Sequence, residues 1–132
     1  MKIISILSLV VLSIVGIGFL LSGSDEAEKS TTNTPSYASI VAESTHSAKI
    51  YDVRTPQEYA EGHFEGAINW PIESIQAGKY PSVPKDTKIY VYCRSGNRSS
   101  ESTALLKSAG FTNVIDLGGL ASVSAIGGDI VK

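Results

Sequence analysis

Four short apolar runs alternate with helix-like segments along most of this chain, and that alternation narrows the possible folds more than any other feature. "KIYDV" (Lys49–Val53), "AINW" (Ala67–Trp70), "KIYVYC" (Lys88–Cys93) and "NVIDL" (Asn113–Leu117) are rich in β-branched and aromatic residues. Helices are predicted before and between them. Tyr37, Ile40 and Val41 fall at helical spacing. "TPQEYAEG" offers Thr55 as N-cap, Pro56 at the first helical position, Glu58 three residues past the cap and Gly62 as the stop. "PIESIQ" holds a turn or two before a proline-punctuated loop. Asn97 to Gly110 reads as an amphipathic helix closed by its glycine. Strands joined through helices run parallel, and a parallel sheet must be covered on both faces. The expected fold class is therefore α/β: a central, mainly parallel sheet with helices on both faces.

The N-terminus follows a different rule. From Ile3 to Leu21 there is no charged residue, with Lys2 before the run and Asp25, Glu26 and Glu28 after it. As a helix this run is roughly 28 Å long, close to the hydrocarbon thickness of a bilayer. Its length favours an uncleaved anchor over a cleaved signal peptide, whose apolar region is typically about 7–15 residues. Lys2 would mark the cytoplasmic side, placing the remainder outside the cytoplasm, in the cell envelope if the source is bacterial. The polar stretch that follows reads as a flexible linker. The expected organisation is an anchor or signal over 1–22, a linker over 23–35 and one domain over 36–132.

A net charge of −2 with 18% charged residues excludes a strongly basic nucleic-acid binder. A single cysteine excludes an intramolecular disulfide, so the domain must rest on packing. Two histidines far apart in sequence do not suggest a metal site, and no cofactor is called for. A monomer is expected.

The lone cysteine stands where chemistry is to be expected. Cys93 ends the third β-prone run, is followed by Arg94 and Arg98, and precedes a helix start. In open α/β sheets, ligands bind beyond the carboxyl ends of the strands. The loop Arg94, Ser95, Gly96, Asn97, Arg98 can curl so that successive backbone N–H groups face the sulfur, with the N-terminus of the next helix adding partial positive charge. Such a cradle favours thiolate over thiol and depresses the pKa of Cys93. Arg94 and Arg98 are expected to draw in or grip an anionic substrate.

The pair "YDVRTPQEYAEGHFEGAINWPI" and "YVYCRSGNRSSESTALLKSAGFTNVIDLGG" resembles the single-domain rhodanese family, from about Tyr37 to the C-terminus. The first half is similar to the family's "DVR…E…GHI.GA.N.P" signature, the second to its six-residue active-site loop, here Cys93 to Arg98. The resemblance implies a thiosulfate sulfurtransferase. Cys93 would take a sulfane sulfur as a persulfide and pass it to cyanide or a thiol, with Arg94, Ser95, Gly96, Asn97, Arg98 and Ser99 forming the substrate-binding loop. The implied partners are a small anionic sulfur donor and a cyanide or thiol acceptor.

Two other classes fit less well. Phosphatases and arsenate reductases of related fold use the longer Cys-x5-Arg loop, whereas this chain has Cys-x4-Arg. A non-catalytic, membrane-tethered binding or redox-sensing module is the other alternative: retention of Cys93 argues against a pure binding role, while thiol reactivity alone fits both enzyme and sensor, and turnover separates them. His63 is expected to be structural, His46 a surface residue and Trp70 part of the core. Asp52, Arg54 and Glu58 are expected to form one ion-pair and turn network. Four residues after Gly119 the family commonly has tryptophan where this chain has Val123, which predicts a loosely packed last helix.

Overall fold

A computed structural model describes residues 34–132. The predicted anchor, and all but the end of the predicted linker, lie outside the described residues. Among the described residues no helix is long and apolar enough to cross a membrane.

The elements run α1 (Tyr37–Ser44), β1 (Lys49–Asp52), α2 (Pro56–Glu61), β2 (His63–Phe64), β3 (Ala67–Asn69), α3 (Ile72–Gln76), β4 (Ile89–Tyr92), α4 (Asn97–Ser108), β5 (Val114–Gly118), α5 (Leu120–Ala125) and β6 (Ile130–Val131). All four runs predicted as strands pair, in the order β3-β1-β4-β5, every neighbour parallel. Two short strands had no apolar run long enough to announce them. His63 of β2 pairs with Val131 of β6, and Phe64 with Ile130, in a separate antiparallel ladder.

Alternation along the strands divides the core between two faces. On one face Ile89, Val91 and Cys93 pack with Tyr51, Val53, Ile72, Ile75, Leu106 and Phe111, beneath α3 and α4. On the other, Tyr90 and Tyr92 pack with Tyr37, Ile40, Ile50, Phe64 and Val123, beneath α1 and α5. β4 is buried on both faces, as a central parallel strand must be. Trp70 packs against the first face at the margin of the core, half-buried; its indole Nε1 donates to the Lys79 carbonyl at 3.1 Å.

The chain leaves β1 toward β3 on one side and returns to β4 on the other, so the strand order reverses between β1 and β4. That switch point opens a crevice at the carboxyl ends of the two strands. β5 shapes it further. Val91 pairs with Asp116 and Tyr92 with Gly118, so Leu117 is an extra residue that bends the end of β5 toward Cys93.

The last helix packs through Val123, its one buried residue, with Ala121, Ser122, Ser124 and Ala125 exposed. The Val123 side chain is fully buried. The backbone fills the space a larger residue would take: a Cβ on Gly128 would sit 2.8 Å from Val123 Cγ1 and 2.9 Å from Phe64 Cδ1.

Candidate active site

Cys93 is the first residue after β4, at the β1/β4 switch point. Its backbone N–H donates to the Gly118 carbonyl at 3.0 Å, and Leu120 N–H donates to the Arg94 carbonyl at 3.0 Å. The Cys93 loop therefore rests on the turn joining β5 to α5. Gly119 makes that contact possible: a Cβ there would lie 2.7 Å from the Arg94 carbonyl oxygen and 3.0 Å from Ser95 Cα. Gly96 closes the loop in the left-handed region, with φ +101°, and serves as the N-cap of α4. A side chain in that conformation is strained, so glycine is the residue the turn requires.

The curled loop turns its N–H groups to the sulfur. Gly96 N–H donates to Cys93 Sγ at 2.9 Å. Burial pushes the Cys93 thiol up, but the Ser99 hydroxyl and the backbone N–H groups of Ser99, Gly96 and Ser95 outweigh it, leaving the pKa below the ordinary thiol value. Ser99 is a shared donor, because its Oγ also lies 3.0 Å from the Gly96 carbonyl and 3.3 Å from that of Gly118. With one proton for several acceptors, the backbone amides give the sulfur its more durable hydrogen bonds. Cys93 has 0% of its surface exposed, whereas Arg94 and Ser95 beside it are exposed.

The two loop arginines differ. Arg94 is exposed and makes no ion pair among the described residues. Arg98, expected to be a free grip for substrate, is held by Glu58: Nη1 donates to Oε2 at 2.7 Å and Nη2 to Oε1 at 2.9 Å. Asn97 opens α4 with an exposed side chain. The first turns of α4 bury Ser99, Ser102 and Thr103, and only Leu106 among its buried residues is a large apolar side chain.

The expected network of Asp52, Arg54 and Glu58 divides into two. Asp52 and Arg54 form a buried pair, with Arg54 Nη2 donating to Oδ2 at 2.6 Å and Nε to Oδ1 at 2.9 Å. The Tyr92 hydroxyl donates to the same Oδ2 at 2.9 Å. Glu58 belongs instead to the predicted capping box of α2, accepting from Thr55 N–H at 3.0 Å, and its carboxylate reaches Arg98 across the crevice. The sequence suggested the capping role of Glu58 but not the Arg98 contact, since they are far apart along the chain. His63 stacks on Tyr59 with ring centroids 3.7 Å apart and has Nδ1 3.0 Å from the Tyr59 carbonyl, a structural placement. His46 is exposed, as expected.

Beside the loop lies a cavity of about 280 Å³ lined by Arg54, Glu58, Glu61, Gly62, Arg94, Leu120 and Ile130. Its mouth carries both signs of charge and an apolar wall.

Comparison with known proteins agrees with this geometry. Thiosulfate sulfurtransferase PspE of Escherichia coli is 35% identical over 74 residues, covering 55% of this chain and 71% of that protein. A sulfurtransferase of Allochromatium vinosum is 36% identical over 75 residues, covering 57% and 69% respectively. Among solved structures, a Rhodanese_3 like domain from Anabaena sp superposes with a TM-score of 0.58 at 41% identity, covering 64% of this chain and 99% of that one. A structure described as rhodanese with anions from E. coli superposes with a TM-score of 0.54 at 32% identity, covering 64% and 98%. The description Rhodanese-like domain matches residues 37–125, which take in every strand of the parallel sheet and the whole Cys93 loop, and the chain belongs to that family.

Proposed function

We propose that this protein is a sulfurtransferase that carries a sulfane sulfur as a persulfide on Cys93, with thiosulfate or a similar small anion as donor and cyanide or a thiol as acceptor. The observation that carries the reading is the sulfur of Cys93 at the carboxyl edge of β4, faced by the backbone N–H groups of Ser95, Gly96 and Ser99. These dipoles need no reorganisation to stabilise an anion, and they serve a thiolate and a terminal persulfide sulfur alike.

The steps balance as two displacements. Cys93 thiolate attacks the outer sulfur of thiosulfate; the new S–S bond forms as the old one breaks, and sulfite leaves with the electron pair. Cyanide then attacks the outer sulfur of the persulfide through carbon. The Cys93 S–S bond breaks toward Cys93, thiocyanate departs and the thiolate returns. A single cysteine suffices because the acceptor comes from outside.

The relatives support this reading, PspE by its name as a thiosulfate sulfurtransferase and the E. coli rhodanese by its bound anions. The six-residue loop from Cys93 to Arg98 also favours sulfur over phosphate chemistry. The apolar run from Ile3 to Leu21 supports placing this activity outside the cytoplasm, at a membrane.

The test is steady-state thiocyanate formation by the full chain with thiosulfate and cyanide. Turnover by the wild type and none by Cys93→Ser is the expected result. Equal rates in the two proteins would overturn the assignment.

A further inference from the structure

Glu58 does more than cap α2. Its Oε2 accepts from Thr55 N–H at 3.0 Å, from Thr55 Oγ1 at 3.2 Å and from Arg98 Nη1 at 2.7 Å, while Oε1 accepts from Arg98 Nη2 at 2.9 Å. The pair is largely shielded, with side-chain exposures of 22% for Glu58 and 30% for Arg98. Glu58 holds Arg98 in its charged form, and Arg98 in turn feels both Cys93 and Glu73. Arg98 thus lies within electrostatic reach of the sulfur and of the carboxylates of Glu58 and Glu73. Two opposite charges in bidentate contact present little net field beyond their own separation.

Arg94 is placed differently. It is exposed, without an ion pair among the described residues, and lines the cavity beside the loop with Glu58 and Glu61. Glu58 is already engaged by Arg98. Glu61 is exposed and accepts from Gln57 Nε2 at 3.2 Å.

We infer that Glu58 is a charge-masking and positioning residue: it ties the first turn of α4 to the cap of α2 and cancels Arg98, so that discrimination between anionic and neutral reagents at Cys93 falls to Arg94. The relevance to a sulfur donor rests on the proposed function, whereas the charge assignment stands without it. An unmasked Arg98 would strengthen attraction for every small anion, so the pair sets an upper limit on the loop's affinity for anions.

The test uses two alkylating reagents that differ by one charge, iodoacetate and iodoacetamide. The second-order rate of Cys93 alkylation by each is measured on the full chain, at a pH where iodoacetate is ionised, and the ratio of the two rates is compared between variants. The ratio cancels changes in thiolate content or loop opening that affect both reagents equally. Removal of one unit charge near the site is expected to move it about three- to tenfold at low salt, less as salt is added.

The inference expects Arg94→Gln to lower the ratio and Arg94→Lys to restore it. Glu58→Gln, which exposes the charge of Arg98, should raise it. The double variant Glu58→Gln with Arg98→Gln removes a neutral pair and should leave the ratio within about twofold of wild type, the span expected for a change without net charge. Glutamine at this position still permits a capping box, which protects the fold of α2. A double variant whose ratio falls as far as that of Arg94→Gln would overturn the inference, as would a Glu58→Gln ratio equal to wild type. Because neither reagent requires sulfur transfer, these outcomes are independent of whether thiosulfate is a donor.

Discussion

β1 and β4 are neighbours, and each ends by enclosing an acidic group: Asp52 on β1 and Cys93 just beyond β4. The carboxylate of Asp52 is held by side chains, the Arg54 guanidinium and the Tyr92 hydroxyl, as well as by the Arg54 backbone N–H. The sulfur of Cys93 is faced by the Ser99 hydroxyl and by backbone N–H groups of one loop. The difference separates structure from chemistry. A carboxylate locked to a guanidinium has its valences filled and its charge cancelled, so it fixes geometry and is a poor nucleophile. A thiolate held by neutral dipoles keeps its charge and a free lone pair, and the same dipoles can follow that charge onto a second sulfur. Tyr92 links the two ends: its hydroxyl reaches Asp52 and also accepts from Phe64 N–H at 3.1 Å, while its own chain continues into Cys93. The inert pair therefore serves as the footing on which the reactive loop is built.

The comparison can be broken most completely at the sulfur. Cys93→Ser should abolish thiocyanate formation while leaving the thermal unfolding temperature within a few degrees of wild type, because the exchange is nearly isosteric. At the other strand end the consequences should be reversed in kind. Asp52→Ala leaves the Arg54 guanidinium buried without its partner and should cost about 3–5 kcal/mol in urea unfolding, the range for breaking one side of a buried pair. Equal stability of the variant and wild type would show that the pair is not the footing described here.

Smaller changes test how the loop is shaped. Gly119→Ala drives a methyl group into the Arg94 carbonyl and Ser95, so the loop must shift by a few tenths of an ångström or more. Such a displacement should reduce cyanide turnover about ten- to a hundredfold, as misplaced reacting groups do, with a smaller effect on far-UV circular dichroism. Ser99→Ala removes one of several donors to the sulfur. It should raise the pH midpoint for iodoacetamide reaction and slow alkylation at neutral pH about two- to fourfold. An unchanged midpoint would assign the thiolate to the backbone alone.

The smallest effect concerns acid stability. Glu58 is lowered from 4.5 to about 2, chiefly by the hydrogen bonds from Arg98. A carboxylate depressed in the folded state contributes its full stabilisation above the unfolded value and loses it as pH falls through the folded one. The contribution should therefore be complete above about pH 4.5 and disappear toward pH 2, amounting to about 1 kcal/mol for a partly exposed pair. Glu58→Gln should flatten that portion of the stability curve, measured by urea unfolding between these pH values.

Much of this was legible in the sequence. The four strands of the parallel sheet announced themselves as apolar, β-prone runs, most clearly the central β1 and β4, because a strand covered on both faces has little room for polar residues. The capping box of α2 was also readable, since Thr55, Pro56 and Glu58 interact over one turn. So was the turn at Gly96, set between a strand end and a helix start. What escaped was long-range or carried by backbone. β2 and β6 are two residues each, too short for any periodicity, and their pairing joins segments distant along the chain. The Glu58–Arg98 contact crosses the crevice and depends on how α2 and α4 dock. The close approach of Gly128 to Val123 escaped as well, since no side-chain pattern reveals a backbone packing partner. The ion pair of Arg98 escaped for a related reason: a loop position indicates proximity to the sulfur, while the partner that meets its charge comes from another helix.

The most direct measurement of the central claim is the intact mass of the full chain after brief treatment with thiosulfate, repeated after addition of cyanide. The account predicts a gain of one sulfur on the wild type, absent in Cys93→Ser and lost when cyanide is added. A wild-type mass that stays unchanged with thiosulfate, while iodoacetamide labels Cys93 readily under the same conditions, would contradict it.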